Sequence, residues 1–358
     1  MIPIYKPYIN GNEKKYILEC IESSWISSKG KFIKKFEDSI IKFTNAKYAS
    51  SCSNGTTALD LAFKALEIGE GDEVITSNFT YVASTNAILN NKATPVFTDI
   101  ETDSWNINCE LIENKINKNT KAILISNIYG FLPNIKKLKK ICDKYKLYLI
   151  EDAAESLGSS FDGIMSGNIG YVSTLSFFGN KTITTGEGGM VLTSDKKIYE
   201  KIEILKNQGN SLKRKYFHEV LGFNYRMTNI QAAIGLAQME QIYKILKLKT
   251  KIYNYYRCEL GEDIIAQKSF HKSSSSYWIV TALFDHLDKK NEIVKVLEKN
   301  KIETRPLFYP IDKLPFYNES KECIKTYDLF DRGICLPSYP GLKRSEMDKI
   351  IELIKKIK

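Results

Sequence analysis

An α/β architecture with a mostly parallel central sheet and a smaller C-terminal α/β domain is predicted by three features of the sequence. Strand-like and helical segments alternate from Tyr48 to Glu151, the pattern of strands joined by crossover helices. Ile123-Leu124-Ile125 and Tyr148-Leu149-Ile150 are unbroken apolar runs, as strands buried on both faces require. A chain of 358 residues also exceeds what one small core accommodates. The expected divisions are an N-terminal arm over residues 1–30, a large domain over 31–250 and a small C-terminal domain over 251–358.

The elements follow in order. The arm carries a helix from Asn12 to Ser23 and ends in Trp25-Ile-Ser-Ser-Lys-Gly. Phe32, Ile33, Phe36, Ile40 and Phe43 recur at helical spacing and predict a helix over 31–43. Strands are expected at Tyr48–Cys52, Glu73–Thr76, Pro95–Thr98, Ala122–Ser126 and Leu147–Glu151. The helices between them are expected at Thr57–Leu66, Tyr81–Leu89, Leu111–Ile116 and Ile135–Tyr145. Val172–Phe178 and Met190–Thr193 read as strands, Asp195–Leu205 as a helix, and Lys206–Tyr225 as a basic loop. Thr228-Asn-Ile-Gln231 forms a capping box that opens one long helix toward Tyr256. Ser273–Ser276 reads as a loop or a short disordered patch. Beyond it come a strand over Tyr277–Phe284, a helix over Glu292–Lys299, an extended stretch over Thr304–Tyr309 and a closing helix from Glu346.

Composition removes several function classes. The chain is 43% hydrophobic, as folded proteins are, yet no apolar run approaches the roughly 20 residues that span a bilayer. The opening Met-Ile-Pro-Ile-Tyr-Lys-Pro-Tyr lacks a charged-then-apolar signal, so a cytoplasmic location without membrane attachment is expected. Seven scattered cysteines without a C-x-x-C pair suit free thiols, and three distant histidines give no metal site. The net charge of +10 comes from lysines spread along the chain. No nucleic-acid-reading module accompanies it, so an anionic small molecule is the better match.

Four motifs carry chemistry. Lys181 lies between two strands in Ser-Phe-Phe-Gly-Asn-Lys-Thr-Ile-Thr-Thr-Gly-Glu-Gly-Gly. A lysine desolvated in such a place becomes a nucleophile toward carbonyls; read alone, it is otherwise one more surface lysine. Asn54-Gly55-Thr56-Thr57 is a glycine turn feeding a helix, which either cradles a phosphate or simply caps the helix. Asp152 follows an apolar strand, where it either caps the next helix or holds a cationic ring nitrogen. Tyr81, in Phe79-Thr80-Tyr81, either packs in the core or stacks on a flat ligand. In chain order they give a phosphate cradle, an aromatic plate, a carboxylate and a lysine along the ligand-binding edge of one sheet, the parts that pyridoxal phosphate needs.

From Ile4 onward the chain resembles the DegT/DnrJ/EryC1/StrS family of sugar-nucleotide aminotransferases. The matching stretches include Trp25-Ile-Ser-Ser-Lys-Gly, Asn54-Gly-Thr-Thr-Ala-Leu, Gly71-Asp-Glu-Val-Ile, Pro95-Val-Phe-Thr-Asp, Glu151-Asp-Ala-Ala-Glu, the 176–189 segment and Gly222-Phe-Asn-Tyr-Arg-Met-Thr-Asn. The resemblance implies the aspartate-aminotransferase-like fold type I, pyridoxal 5'-phosphate as cofactor, and a ping-pong transfer from L-glutamate to a keto-sugar nucleotide. It implies that Lys181 carries the cofactor as a Schiff base and shuttles the proton. Asp152 would pair with the pyridine nitrogen, Tyr81 stack on the ring, and Glu155 lie near the ring hydroxyl. Gly55, Thr56 and Ser176 would hold the phosphate, and Asn224 would reach the phosphate bound by a partner subunit, implying a homodimer with sites at its interface. A family subset that has lost the lysine performs dehydration; Lys181 is retained here.

The overall look is nearest to members that aminate C4 of GDP-4-keto-6-deoxymannose, with C4 or C3 amination of a dTDP- or UDP-linked sugar as the alternatives. Trp25, Lys213, His218, Tyr309 and Asp312 are the candidate substrate contacts; many relatives have a histidine where this chain has Asp312. Two other classes compete. A nicotinamide-dependent oxidoreductase is disfavoured because no G-x-G-x-x-G follows the first strand. A non-catalytic protein of the same fold is disfavoured because no helix-turn-helix domain is added.

Overall fold

The structure is a computed structural model describing residues 1–317 and 322–357. Helices α1 (Glu13–Glu22) and α2 (Lys31–Thr44) lead into β1 (Tyr48–Cys52). Then come α3 (Gly55–Ala65), β2 (Glu73–Ser77), α4 (Val82–Asn90), β3 (Thr94–Thr98), β4 (Thr120–Ser126), α5 (Ile135–Tyr145) and β5 (Tyr148–Asp152). Two short strands, β6 (Ser160–Phe161) and β7 (Ile164–Met165), precede β8 (Val172–Ser176) and β9 (Gly189–Thr193). Helices α6 (Lys196–Lys206), α7 (Asn229–Met239) and α8 (Ile242–Leu260) follow. The chain finishes with β10 (Ser273–Ser274), β11 (Val280–Leu283), α9 (Leu287–Lys299), β12 (Arg305–Pro306), α10 (Ile324–Arg332), β13 (Gly333–Leu336) and α11 (Arg344–Lys355).

The seven-stranded sheet has the order β1-β9-β8-β5-β4-β2-β3. β3, β2, β4, β5 and β8 pair in parallel, and β9 runs against both β8 and β1. The central strands obey the burial rule: Ala122–Ile125 and Leu149–Glu151 are buried on both faces. One face carries α3 and its neighbours around Leu59, Phe63, Val74 and Leu124. The other carries α5 and its partners around Ile75, Ile123, Ile125 and Leu138.

A second sheet, β11-β13-β12, is antiparallel and packs with α9 and α11 around Leu297, Leu336 and Ile350. The first residues belong to this assembly: Ile2 bridges Ile302, and the Ile4 N–H donates to Glu303. The N-terminal arm is thereby tied across almost the whole length of the chain.

Three expectations are corrected. The predicted long helix over 228–256 is two helices, α7 and α8, broken at Glu240–Gln241. Glu240 accepts from Asn12 and Tyr16, and Gln238 donates to the Tyr8 carbonyl, so contacts with the arm fix the break. The predicted helix at 111–116 is two single 3₁₀ turns, 109–111 and 113–115. Half of the serine run is a strand, Ser273–Ser274 pairing with β6, and only 275–276 is loop, where the Ser275 and Ser276 hydroxyls donate to the carbonyls of Gly130 and Glu155.

Candidate active site

Five strands of the large sheet end on one cavity of roughly 860 Å³, where backbone turns leave side chains pointing beyond the strand ends. β1 delivers Asn54, Gly55 and Thr56; the turn after β2 delivers Tyr81; β4 delivers Ser126 and Asn127; β5 ends in Asp152; and β8 ends in Ser176. Lys181 follows on the connection between β8 and β9.

Asn54 caps α3 in a reciprocal box: its Oδ1 accepts from the Thr57 N–H at 2.9 Å, and its own N–H donates to Thr57 Oγ1 at 3.2 Å. Thr57 is thereby committed to the helix start. The N–H groups of Gly55 and Thr56, in the first turn, lie ahead of the intrahelical ladder and border the cavity. Together with the helix dipole they suit an anion. Gly55 is required there, because a Cβ would sit 2.8 Å from Ser176 Cβ and separate the turn from the Ser176 hydroxyl.

Asp152 is buried; its Oδ2 accepts from the Ser84 hydroxyl at 2.5 Å and its Oδ1 from the Ala154 N–H at 3.1 Å. Burial raises its pKa, and the Ser84 hydrogen bond counters that rise. None of the ion pairs among the described residues includes Asp152, and a buried carboxylate in that position gains most from a ligand that brings positive charge. Tyr81 stands at the N-terminus of α4 with its side chain 56% exposed, leaving a ring face open to a flat ligand.

Lys181 is enclosed: its Nζ lies 3.6 Å from Glu155 Oε1 and 4.1 Å from the centre of the Trp278 ring. Glu155 Oε2 accepts from the Tyr129 N–H at 2.9 Å. Tyr129 itself adopts a left-handed backbone, φ 55°, uncommon for a bulky residue. Its ring stacks between Trp278 and Phe308, which offsets that conformational cost and points its N–H at the carboxylate. Burial pushes the Glu155 carboxyl up to about 7, and the neighbouring Lys181 limits the rise.

This predicts a pH signature for the cofactor-free protein. The folded state binds the Glu155 proton more tightly than the unfolded chain between the ordinary value of 4.5 and about 7. Glu155 therefore makes its full contribution below the ordinary value, and that contribution falls as pH rises toward 7. Glu155→Gln is expected to flatten this part of the profile, seen as a smaller change in urea midpoint between pH 5 and pH 7.5. Equal changes in parent and variant contradict it.

Of the sequence-predicted residues, Gly55, Thr56, Tyr81, Asp152, Glu155, Ser176, Lys181 and Tyr309 all border the one cavity. Others are not brought to it in this chain. Trp25 borders a separate small cleft with Lys31 and Phe32, its carbonyl held by Asn229. Lys213 and His218 stand exposed on the excursion between Asn207 and Asn224. Asn224 is at its base, its Oδ1 engaged by the Arg226 guanidinium. Asp312 is buried, its carboxylate oxygens accepting from Asn78 Nδ2 at 2.8 Å and the Tyr327 hydroxyl at 2.5 Å. It ties the Pro310–Leu314 segment to the turn before Tyr81 instead of facing the cavity.

Residues that sequence reasoning missed include Ser84, Tyr129, Asn180, Trp278 and Arg305, all but Ser84 bordering the cavity. The partner for Asp152 had a signal, since Ser84 lies one turn into the helix that follows Tyr81. Trp278 had none, because it meets Lys181 from 97 positions away in sequence (278 − 181).

Residues 7–355 match the DegT/DnrJ/EryC1/StrS aminotransferase family. The chain is 45% identical over 361 residues to GDP-perosamine synthase of Vibrio cholerae, with 99% of this chain and 98% of the relative covered. It is 44% identical over 355 residues to GDP-perosamine synthase of Escherichia coli O157:H7, with 99% and 97% covered. Among solved structures it is similar to the PLP form of Spr1654 from Streptococcus pneumoniae, with a TM-score of 0.94, 27% identity, and 99% of this chain and 98% of that chain covered.

The cavity fits pyridoxal phosphate on its own chemistry. The Gly55–Thr56 cradle, which a Cβ would fill, suits the phosphate, and Asp152 suits a protonated ring nitrogen. The chain belongs to the DegT/DnrJ/EryC1/StrS aminotransferase family and is a pyridoxal-phosphate-dependent aminotransferase.

Proposed function

We propose that this protein transfers the amino group of L-glutamate to C4 of GDP-4-keto-6-deoxymannose, for surface polysaccharide or glycan biosynthesis. The observation that carries the choice of sugar is the likeness, over nearly the full chain, to two GDP-perosamine synthases at 45% and 44% identity. The enclosed Lys181 beside Glu155 and Trp278 supports the reaction type.

Bound pyridoxal phosphate supplies an electron sink for the carbon that gives up its proton. The chain's residues do the rest. Lys181 would hold the cofactor, and its freed Nζ would carry a proton between the amine-bearing carbon and the cofactor's own carbon, in opposite senses in the two half-reactions. Asp152 would keep the ring nitrogen protonated, and Ser84 holds the carboxylate in place. Tyr81 would support the ring, while Gly55, Thr56 and Ser176 would anchor the phosphate. Glu155 holds or releases a proton near neutral pH beside Lys181, and the Trp278 ring shields that amine from water. Tyr309, half exposed at the cavity mouth, is placed to meet the sugar nucleotide.

The protein works as a homodimer in the cytoplasm. Asn224 and the neighbouring excursion, with Tyr216 and Leu221 almost fully exposed, would complete the site of a partner subunit. Lys213 and His218 would then meet the sugar diphosphate there. No helix among the described residues is long and apolar enough to cross a membrane.

The test is a panel of GDP-, dTDP- and UDP-linked keto-sugars with L-glutamate, the aminated carbon located by NMR. Amination at C4 of the GDP sugar, at least about tenfold faster than of the others (about 1.4 kcal/mol in transition-state binding), is expected. Preference for a dTDP- or UDP-linked sugar, or C3 amination, replaces the substrate assignment. Activity on free keto acids alone rejects the sugar-nucleotide reading.

A further inference from the structure

The backbone that carries Lys181 is gripped from outside its own segment. Trp278 Nε1 donates to the Asn180 carbonyl at 2.7 Å, and the Tyr5 hydroxyl donates to the carbonyl of Lys181 itself. Two consecutive carbonyls at the root of one side chain are thus held by residues from the N-terminal arm and from the stretch before β11. The face of the same Trp278 ring lies over Lys181 Nζ. A shift of either donor would change where the amine points.

Behind both donors stands Lys249 of α8. Its Nζ donates to the Trp278 carbonyl at 2.8 Å and lies 5.4 Å from the centre of the Tyr5 ring. It is 1% exposed, and none of the ion pairs among the described residues includes it. Burial lowers its pKa to about 7. A buried lysine without a carboxylate is costly to keep, and an apolar residue of similar length would pack at less cost. Packing therefore does not account for an amine at this position, whereas its contacts with Trp278 and Tyr5 do.

We propose that Lys249 is a positioning residue for the reaction, joining Tyr5 and Trp278 into a buried bracket that fixes the backbone and side-chain direction of Lys181. The inference rests on the reading of Lys181 as the residue that holds the cofactor and moves the proton. Lys249 touches neither the cavity nor substrate; it acts through the two residues it joins.

Lys249→Met keeps the length of the side chain and removes the donor. Two quantities separate positioning from simple packing: the split between kcat and KM in the loaded enzyme, and the rate at which cofactor-free protein captures pyridoxal phosphate, followed by absorbance. The expected result is a fall of about tenfold in both kcat and capture rate, with KM for each substrate changed less than about twofold, since slight misplacement of a reacting group costs one to two orders of magnitude. Trp278→Phe, which keeps a ring and loses the N–H, is expected to act in the same direction, and the double variant to fall short of the product of the two effects. Parental kcat and capture rate in Lys249→Met overturn the proposal. Should that variant fail to fold, Tyr5→Phe is read on the same two measures, and parental values there overturn it equally. Undiminished transamination by Lys181→Ala would instead remove the reading on which the bracket rests, whatever the bracket variants do.

Discussion

Lys181→Ala is expected to abolish transamination and the visible absorbance of the purified protein together. The loss of turnover should be on the order of 10⁴–10⁶-fold, the scale seen when a covalent catalyst loses its nucleophile. No substitute amine stands ready in the cavity: among the described residues that border it, Lys181 is the one lysine. The variant should still fold, because the segment is held through backbone carbonyls and through the buried residues Phe177 and Ile183, which remain. Stability to urea measured beside activity separates the two effects. Retained turnover would remove Lys181 from the mechanism.

Asp152→Asn has the second largest expected effect. The carboxylate is buried against Ser84 and the Ala154 N–H, and none of the ion pairs among the described residues includes it, so its negative charge is available to a protonated ring nitrogen. The amide keeps the shape and the contact with Ser84 but loses the charge. Turnover should fall by about 10²–10³-fold, the cost of removing one preorganised electrostatic partner. The KM for glutamate should change far less. Ser84→Ala should reproduce a fraction of this loss by freeing the carboxylate to turn. Parental turnover in Asp152→Asn would mean that the charge has another task.

Much of this arrangement was legible in the sequence because it depends on local rules. Apolar runs separated by helical periodicity placed β4 and β5, and glycine and hydroxyl residues after a strand marked the start of α3. The residues at the ends of β1, β5 and β8 converge because parallel strands deliver their C-terminal ends to one edge, so chain order alone assembles Gly55, Asp152 and Ser176.

What escaped depends on distant contacts. The break between α7 and α8 carries no proline or glycine; it exists because the N-terminal arm engages Gln238 and Glu240. Asp312 sits in a segment that borders the cavity, yet its side chain turns inward because Asn78 Nδ2 and the Tyr327 hydroxyl donate to its carboxylate, while Asn78 Oδ1 accepts from its backbone N–H. Trp278 and Tyr5 meet Lys181, and Lys249 meets those two, through long-range packing, which no periodicity announces. Their neighbourhood in the sequence, a serine run and the middle of a helix, reads as ordinary structure.

The central claim is that Lys181 is the residue that holds the cofactor. Reduction of the yellow holoenzyme with borohydride, followed by proteolysis and mass mapping, tests it most directly. The account predicts a phosphopyridoxyl group on the peptide containing Lys181 and on no other lysine of the native protein. Stoichiometric labelling at a different lysine, with Lys181 unmodified, would contradict it.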